Sequence, residues 1–393
     1  MKIFAYVGNR RAKDPGNNGF GIYRYNEATG KLTYIKTALN DIYVGATYID
    51  PKTNILYCTD EQVDLPGRIG GGGQVLAIKL DPESGDMTEI NRKPSYGAMP
   101  SYVTGTTCGG YIIVCHHTDY APITKTGKDV FGKYHIITEF DEACTVLFPL
   151  GSDGSIGEPC DMYKHTGCGI LKSQTHPHLH SVVRSPSGKL FAECDKGTDR
   201  ILFFSVDPEE GKLILLSDHK SLPGSSPRYS CFHPTLPYWY MNNETAQVVR
   251  GFRYNESGGL EHICTVDALP DGYEDDPSKG KNERPWQSDI CIHPSGKYVY
   301  ALFRNINAMS VLSVDRSSGA LTKIQSVDLQ SECPRGCAIS PDSRFMLIAC
   351  QDGGEVLTCA IGEDGKIDPT GMKVKEPSPG NVTLFTGKCD ING

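Results

Sequence analysis

Three histidines alternate in the segment THPHLH, at His176, His178 and His180, and two more are adjacent at His116 and His117. Arginines at 228, 304 and 335, and carboxylates at Glu61, Asp195 and Glu244, sit at the ends of segments that otherwise read as apolar strands. Each type brings its own capability. Histidine exchanges a proton near neutral pH. Arginine holds a carboxylate or phosphate through two parallel N–H donors. A carboxylate orients either of them or moves a proton itself. Such a set suits acid–base chemistry on an anionic small molecule, provided the fold brings its members together.

The elements that must do so are short strands. The chain has 393 residues, of which 43 are Gly and 25 Pro, without a collagen-like period, which points to many turns. A repeat is visible in HSVVRSPSGKLFAECD, RYSCFHPTLPYWYMNNE, SDICIHPSGKYVYALFR and RGCAISPDSRFMLIACQ, each a strand, a Pro-containing turn and a strand. ATYIDPKTNILYCTDE is a fifth copy. After each comes a second apolar stretch with a charged turn, such as ILFFSVDPEEGKLILL, so every unit holds four strands. Turn prolines 186, 234, 294 and 341 are spaced by 48, 60 and 47, close to the length of one propeller blade.

Two further units complete seven. One is SYVTGTTCGGYIIVCHH with CTVLFPLGSDGSIGEP, which carries a long insertion. The other, at the N-terminus, has only three strands, while the C-terminus ends in an orphan apolar strand, GNVTLF. The pattern therefore predicts an all-β, seven-bladed β-propeller spanning 1–393 as a single domain, its first blade closed by the C-terminal strand, with 385–393 a disordered tail. Trp occurs only at 239 and 286 and never before Asp, which disfavours the WD40 variety.

In a blade the start of the first strand and the end of the second share one rim near the axis. The insertions 10–19, 62–73, 118–142, 163–178 and 270–286 all fall on that rim, which marks it as the functional face. Six residues before the turn proline the copies place Gly45, His180, Arg228, Ser288 and Arg335. Second strands end at Glu61, His117, Lys196, Glu244, Arg304 and Gln351, with Asp60, His116 and Asp195 one step earlier. His233 and His293 belong to turns on the opposite face and read as structural.

Composition narrows the partners. With 39 Lys plus Arg against 47 Asp plus Glu, the formal charge is −8 and no basic stripe occurs, so no nucleic acid is expected. No stretch approaches a membrane span and no signal peptide is evident, so the expectation is a cytoplasmic protein with no membrane partner, monomeric or homodimeric. The 15 cysteines are scattered through apolar runs as small hydrophobes. GRIGGGGQV lacks the strand-to-helix context of a phosphate loop. Histidine spacing fixes no metal site, and no metal or other cofactor is expected.

THPHLHSVVRSPSGKLFAECDKGTDRI, SSPRYSCFHP, SDICIHPSGKYVYALFRN and CPRGCAISPDSRFMLIACQD resemble the hallmark segments of the lactonase family of seven-bladed propellers. That family includes the propeller-type 6-phosphogluconolactonases and the 3-carboxy-cis,cis-muconate cyclases. The resemblance implies catalytic roles for His180, Arg228, Glu244 and Arg304, all members of the rim set. His178, Arg335, His117, Asp195 and Gln351 are expected to bind substrate. Two features depart from the family: Phe303 precedes the rim arginine where Asn is common, and the His116–His117 pair leads into a long insertion.

The implied activity is hydrolysis of the lactone of an anionic sugar acid, with a histidine base and arginines stabilising the oxyanion and the anionic substituent. A muconate-type lactonizing cycloisomerase, or a catalytically silent propeller that binds a ligand on its rim, would use the same scaffold.

Overall fold

Second strands such as ILYCTD and YWYMNN are apolar without alternation, so both of their faces need cover. In the computed structural model, which describes residues 2–107, 109–280 and 283–387, that cover comes from a neighbouring blade on each side. Blade 1 contributes β1 (Ile3–Asn9), β2 (Gly19–Tyr25) and β3 (Leu32–Ala38). Blade 2 is β4 (Val44–Asp50), β5 (Ile55–Asp60), β6 (Gln74–Leu80) and β7 (Met87–Pro94). Blade 3 starts with β8 (Pro100–Gly105) and β9 (Tyr111–His116). A separate hairpin follows, β10 (Ile123–Lys128) and β11 (Tyr134–Glu139), before β12 (Cys144–Pro149) and β13 (Asp161–Lys164) complete the blade.

Blade 4 holds β14 (Leu179–Arg184), β15 (Phe191–Asp195), β16 (Arg200–Asp207) and β17 (Lys212–Lys220). Blade 5 holds β18 (Pro227–Phe232), β19 (Tyr238–Asn243), β20 (Val248–Tyr254) and β21 (Leu260–Asp267). Blade 6 holds β22 (Gln287–Ile292), β23 (Tyr298–Phe303), β24 (Ala308–Val314) and β25 (Leu321–Asp328). Blade 7 holds β26 (Pro334–Ile339), β27 (Phe345–Cys350), β28 (Glu355–Ile361) and β29 (Ile367–Lys375). The last strand, β30 (Pro379–Phe385), pairs antiparallel with β1 and is the innermost strand of blade 1, as the spare strand predicted. No helix among the described residues is long and apolar enough to cross a membrane.

The core is distributed around the ring. Seven apolar clusters each fill the space between two adjacent blades, for example Phe4, Ile22, Leu56 and Ile78 between blades 1 and 2. The closing joint is of the same kind, with Ile3 and Val7 packing on Leu347 and Val356 between blades 7 and 1. Phe385, assigned above to a tail, is instead buried in β30 opposite Phe4, because the closing strand needs its apolar end. The rest of that expected tail, from 388 onward, lies outside the described residues.

One irregularity recurs in every blade. Each innermost strand bulges against its neighbour near the functional rim, leaving Gly380, Gly45, Ser101, His180, Arg228, Ser288 and Arg335 out of the ladder. A bulge bends the strand and re-aims the unpaired side chain, and such bulges occur at barrel rims and beside active sites.

Candidate active site

The seven second strands each end one residue before the axial mouth, and the next residues form a ring: Arg10, Glu61, His117, Lys196, Glu244, Arg304 and Gln351. All seven line a cavity of about 660 Å³. The bulge residues His180 and Arg335 line it too, with Trp286 and Tyr120 from the inserted loops.

Glu244 is the electrostatic hub. It is 2% exposed, accepts from Arg228 Nε on Oε2 at 2.9 Å and from Lys196 Nζ on Oε1 at 2.8 Å, and pairs with Arg304 Nη2 at 2.7 Å. Burial alone would raise its pKa, but Arg304, Lys196 and Arg228 overrule that and hold it well below the ordinary carboxylate range. A carboxylate so stabilised does not exchange protons near neutral pH; it positions three cations. Arg304 also lies over the Trp286 ring, 5.8 Å from its centroid, which restrains the guanidinium plane. A second ion pair across the ring joins Arg10 to Glu61.

Among the described residues His180 has no carboxylate partner. It is 7% exposed, its Nδ1 lacks a hydrogen bond, and the His117 and Tyr229 rings meet it edge-on at 5.3 and 5.0 Å. Burial, together with Arg228, His117, Lys196 and Arg335, lowers its pKa well below 6.5, so it stands neutral with a lone pair available. Among the described residues no hydrogen bond or ion pair holds the Arg335 guanidinium, which is a free cation in the mouth. Arg228 Nη2, Arg304 Nε and Gln351 Oε1 likewise lack partners. Buried polar atoms are ordinarily paired, and their concentration here marks a place completed by a ligand or solvent.

His180, Glu244, Arg304, Arg335, His117 and Gln351 thus share the mouth, and three expected site residues do not. Arg228 is fully buried beneath it, with Nε on Glu244 and Nη1 on the Ser288 carbonyl, and holds the hub from below. His178 is also fully buried behind His117, where its Nδ1–H donates to the His117 carbonyl at 2.7 Å and ties blade 4 to blade 3. Asp195 accepts the backbone N–H groups of His178 and Gly197 at 2.8 and 2.9 Å, a strand-joining role that Asp60 repeats in blade 2 with Tyr43 N at 2.7 Å. These placements share one cause: the end of a strand can be placed from a repeat, but which side of the wall its side chain enters depends on the next blade. His116 turns away as well, with its Nδ1–H on the Cys144 carbonyl at 2.8 Å. Among the described residues no three His, Cys, Asp or Glu side chains gather to hold a metal ion.

Arg10 is a mouth residue that the repeat did not single out, although a signal was present. Once the C-terminal strand is the innermost of blade 1, β1 becomes a second strand and Arg10 its end residue, equivalent to Glu61 and Glu244. On the far face, His233 Nδ1 accepts the N–H groups of Thr235 and Leu236 at 3.1 and 3.0 Å, a turn cap as expected.

The sequence profile of the family described as lactonase, 7-bladed β-propeller, matches residues 4–384. A 6-phosphogluconolactonase of Bacillus subtilis is 26% identical over 362 residues, covering 91% of this chain and 93% of that one. A 6-phosphogluconolactonase of Formosa agariphila is 26% identical over 97% of this chain and 99% of its own length. In fold, the chain is similar to the periplasmic gluconolactonase of Pseudomonas aeruginosa, with a TM-score of 0.81 at 21% identity over 98% and 99% of the two chains. The chain belongs to the lactonase family of seven-bladed β-propellers.

Proposed function

We propose that the chain hydrolyses the lactone of an anionic sugar acid. The observation that carries this reading is a neutral histidine, His180, facing the same cavity as a free cation, Arg335, and two cations held on one ionised carboxylate, Arg304 and Lys196 on Glu244. The names of the relatives point the same way. His180 takes a proton from water as the hydroxide adds to the acyl carbon. The oxyanion that forms is met by Arg304, already oriented by Glu244 and Trp286, so little reorganisation accompanies the charge. Arg335 holds the anionic substituent. Burial is the main cause of the lowered His180 pKa, and the substrate anion offsets the smaller share that Arg228, Lys196 and Arg335 add to it.

The test is proton release followed by pH-stat over a panel of aldonic, 6-phospho-aldonic, aldaric and muconic lactones, comparing the wild type with His180→Ala. Turnover lost in the variant supports the reading and names the substrate class. Absence of turnover on every member by the wild type overturns it.

A further inference from the structure

We infer that Lys196 is the general acid of ring opening, delivering its Nζ proton to the ring oxygen that leaves the acyl carbon. The inference rests on the hydrolytic reading above and assigns the step that reading leaves open. Expulsion of an alkyl oxygen from a tetrahedral intermediate produces an alkoxide unless a proton arrives with it.

The mouth holds several cations, of which one kind is a ready proton donor, and burial pushes the pKa of the Tyr120 phenol, which also lines it, above its ordinary value. Arg10, Arg11, Arg304 and Arg335 line it as guanidiniums, which serve as fixed cations, and Arg10, whose pKa burial lowers to about 9, is tied to Glu61. Lys196 is the only lysine among the described residues that line it. Its ammonium carries three N–H groups, of which Glu244 Oε1 takes one at 2.8 Å, and no other hydrogen bond engages it among the described residues.

Its placement relative to the base follows from the register of blade 4. Leu179 pairs with Asp195, His180 bulges out of the ladder one step inside that pair, Lys196 follows one step beyond it with its N–H on the His178 carbonyl at 3.1 Å, and both side chains line the same cavity. Base and acid are thereby carried by one sheet.

The surroundings tune the ammonium toward release. Burial lowers its pKa, Glu244 raises it, and Arg304 and Arg228 lower it again, bringing it to about 8 from the ordinary 10.5. His117 of blade 3 and His178 and His180 of its own blade also face it, all neutral. At neutral pH the group is mostly charged, yet close enough to its pKa to give up a proton in a transition state.

The step balances. A water O–H proton passes to an imidazole nitrogen of His180 as the new O–C bond forms and the carbonyl pair moves to the oxyanion. Collapse restores C=O and breaks the acyl C–O ring bond, whose electron pair takes the Nζ proton and becomes a hydroxyl. The neutral amine regains a proton from solvent, His180 returns one, and the carboxylic acid ionises, for a net release of one proton.

The experiment compares the wild type with Lys196→Arg, which keeps the charge on Glu244 but cannot donate. Substrates are an alkyl lactone turned over by the wild type and dihydrocoumarin, whose phenoxide leaves without protonation. The expected result is a wild-type kcat/KM that falls as pH rises through about 8, and a variant that loses this alkaline limb. The variant is expected to lose about 10²–10³-fold in kcat on the alkyl lactone with KM unchanged, and to stay within a few-fold of wild type on dihydrocoumarin. Equal losses on both substrates, or an unmoved alkaline limb, overturn the role of Lys196 while leaving hydrolysis in place. A wild type inactive on every lactone removes the hydrolytic reading itself, and this assignment with it.

Discussion

Arg228 Nε donates to Glu244 Oε2 at 2.9 Å with both side chains buried, so the arginine beneath the mouth and the carboxylate within it form one unit. The pair joins the bulge of β18 to the end of β19, and through Lys196 and Arg304 it reaches the blades on either side. Four charged groups from three blades are thereby fixed before any substrate arrives.

Glu244→Gln is expected to be costly to the fold as well as to activity. The neutral amide leaves Arg228, Arg304 and Lys196 confronting one another without their anion. Removing one partner of a buried ion pair typically costs about 3–5 kcal/mol. Urea unfolding measures this directly. An unchanged midpoint would show that solvent in the mouth, not Glu244, keeps the cations apart.

His180→Asn should do the reverse. His180 Nδ1 has no hydrogen-bond partner among the described residues, so the melting temperature stays within a few degrees of wild type. Lactone turnover falls by about 10²–10⁴-fold, the usual contribution of a positioned base. A variant with wild-type kcat would move the base elsewhere in the ring.

Arg335→Gln isolates anion binding. Its guanidinium has no ion pair to lose among the described residues, and hydrogen bonds to charged groups contribute about 1.5–3 kcal/mol, so KM for an anionic lactone should rise about 10- to 150-fold. An uncharged lactone should show no such change. Equal effects on both substrates would mean that Arg335 shapes the mouth without reading charge.

Much of this arrangement was legible before the structure. Prolines 186, 234, 294 and 341 mark the turns, apolar runs too continuous for a half-exposed sheet imply neighbours on both sides, and a three-stranded first unit with an orphan strand at the C-terminus implies closure. The ring of strand-end residues followed from the same alignment, because every blade repeats one rim geometry. Depth did not follow. His180, Arg228 and Arg335 occupy equivalent bulges, yet two line the cavity and one lies wholly beneath it. In blade 5 two residues, Arg228 and Tyr229, stand out of the ladder, where blades 4 and 7 have one. The net excess is one residue in all three, because Asn242 of β19 is unpaired too, and no residue type in PRYSCF announces the missing pair, so the inward turn of Arg228 becomes visible only in the backbone.

The last expectation concerns pH and lies away from the mouth. Glu193 of β15 is fully buried, accepts from the Thr145 hydroxyl and faces His165 Nε2 at 3.1 Å. Burial pushes its pKa up to about 8 from 4.5, while burial takes His165 down to about 3. The folded protein therefore keeps a proton on Glu193 that the unfolded chain releases. With more protons on the native state, stability falls as pH rises from the unfolded pKa through the folded one. Glu193→Gln removes that linkage while keeping the shape and a donor for His165. Between about pH 5 and pH 8, wild-type stability in urea should decline relative to the variant, and the two curves should be closest at the acid end. Parallel curves would mean that Glu193 is already ionised in the fold, with its proton on His165.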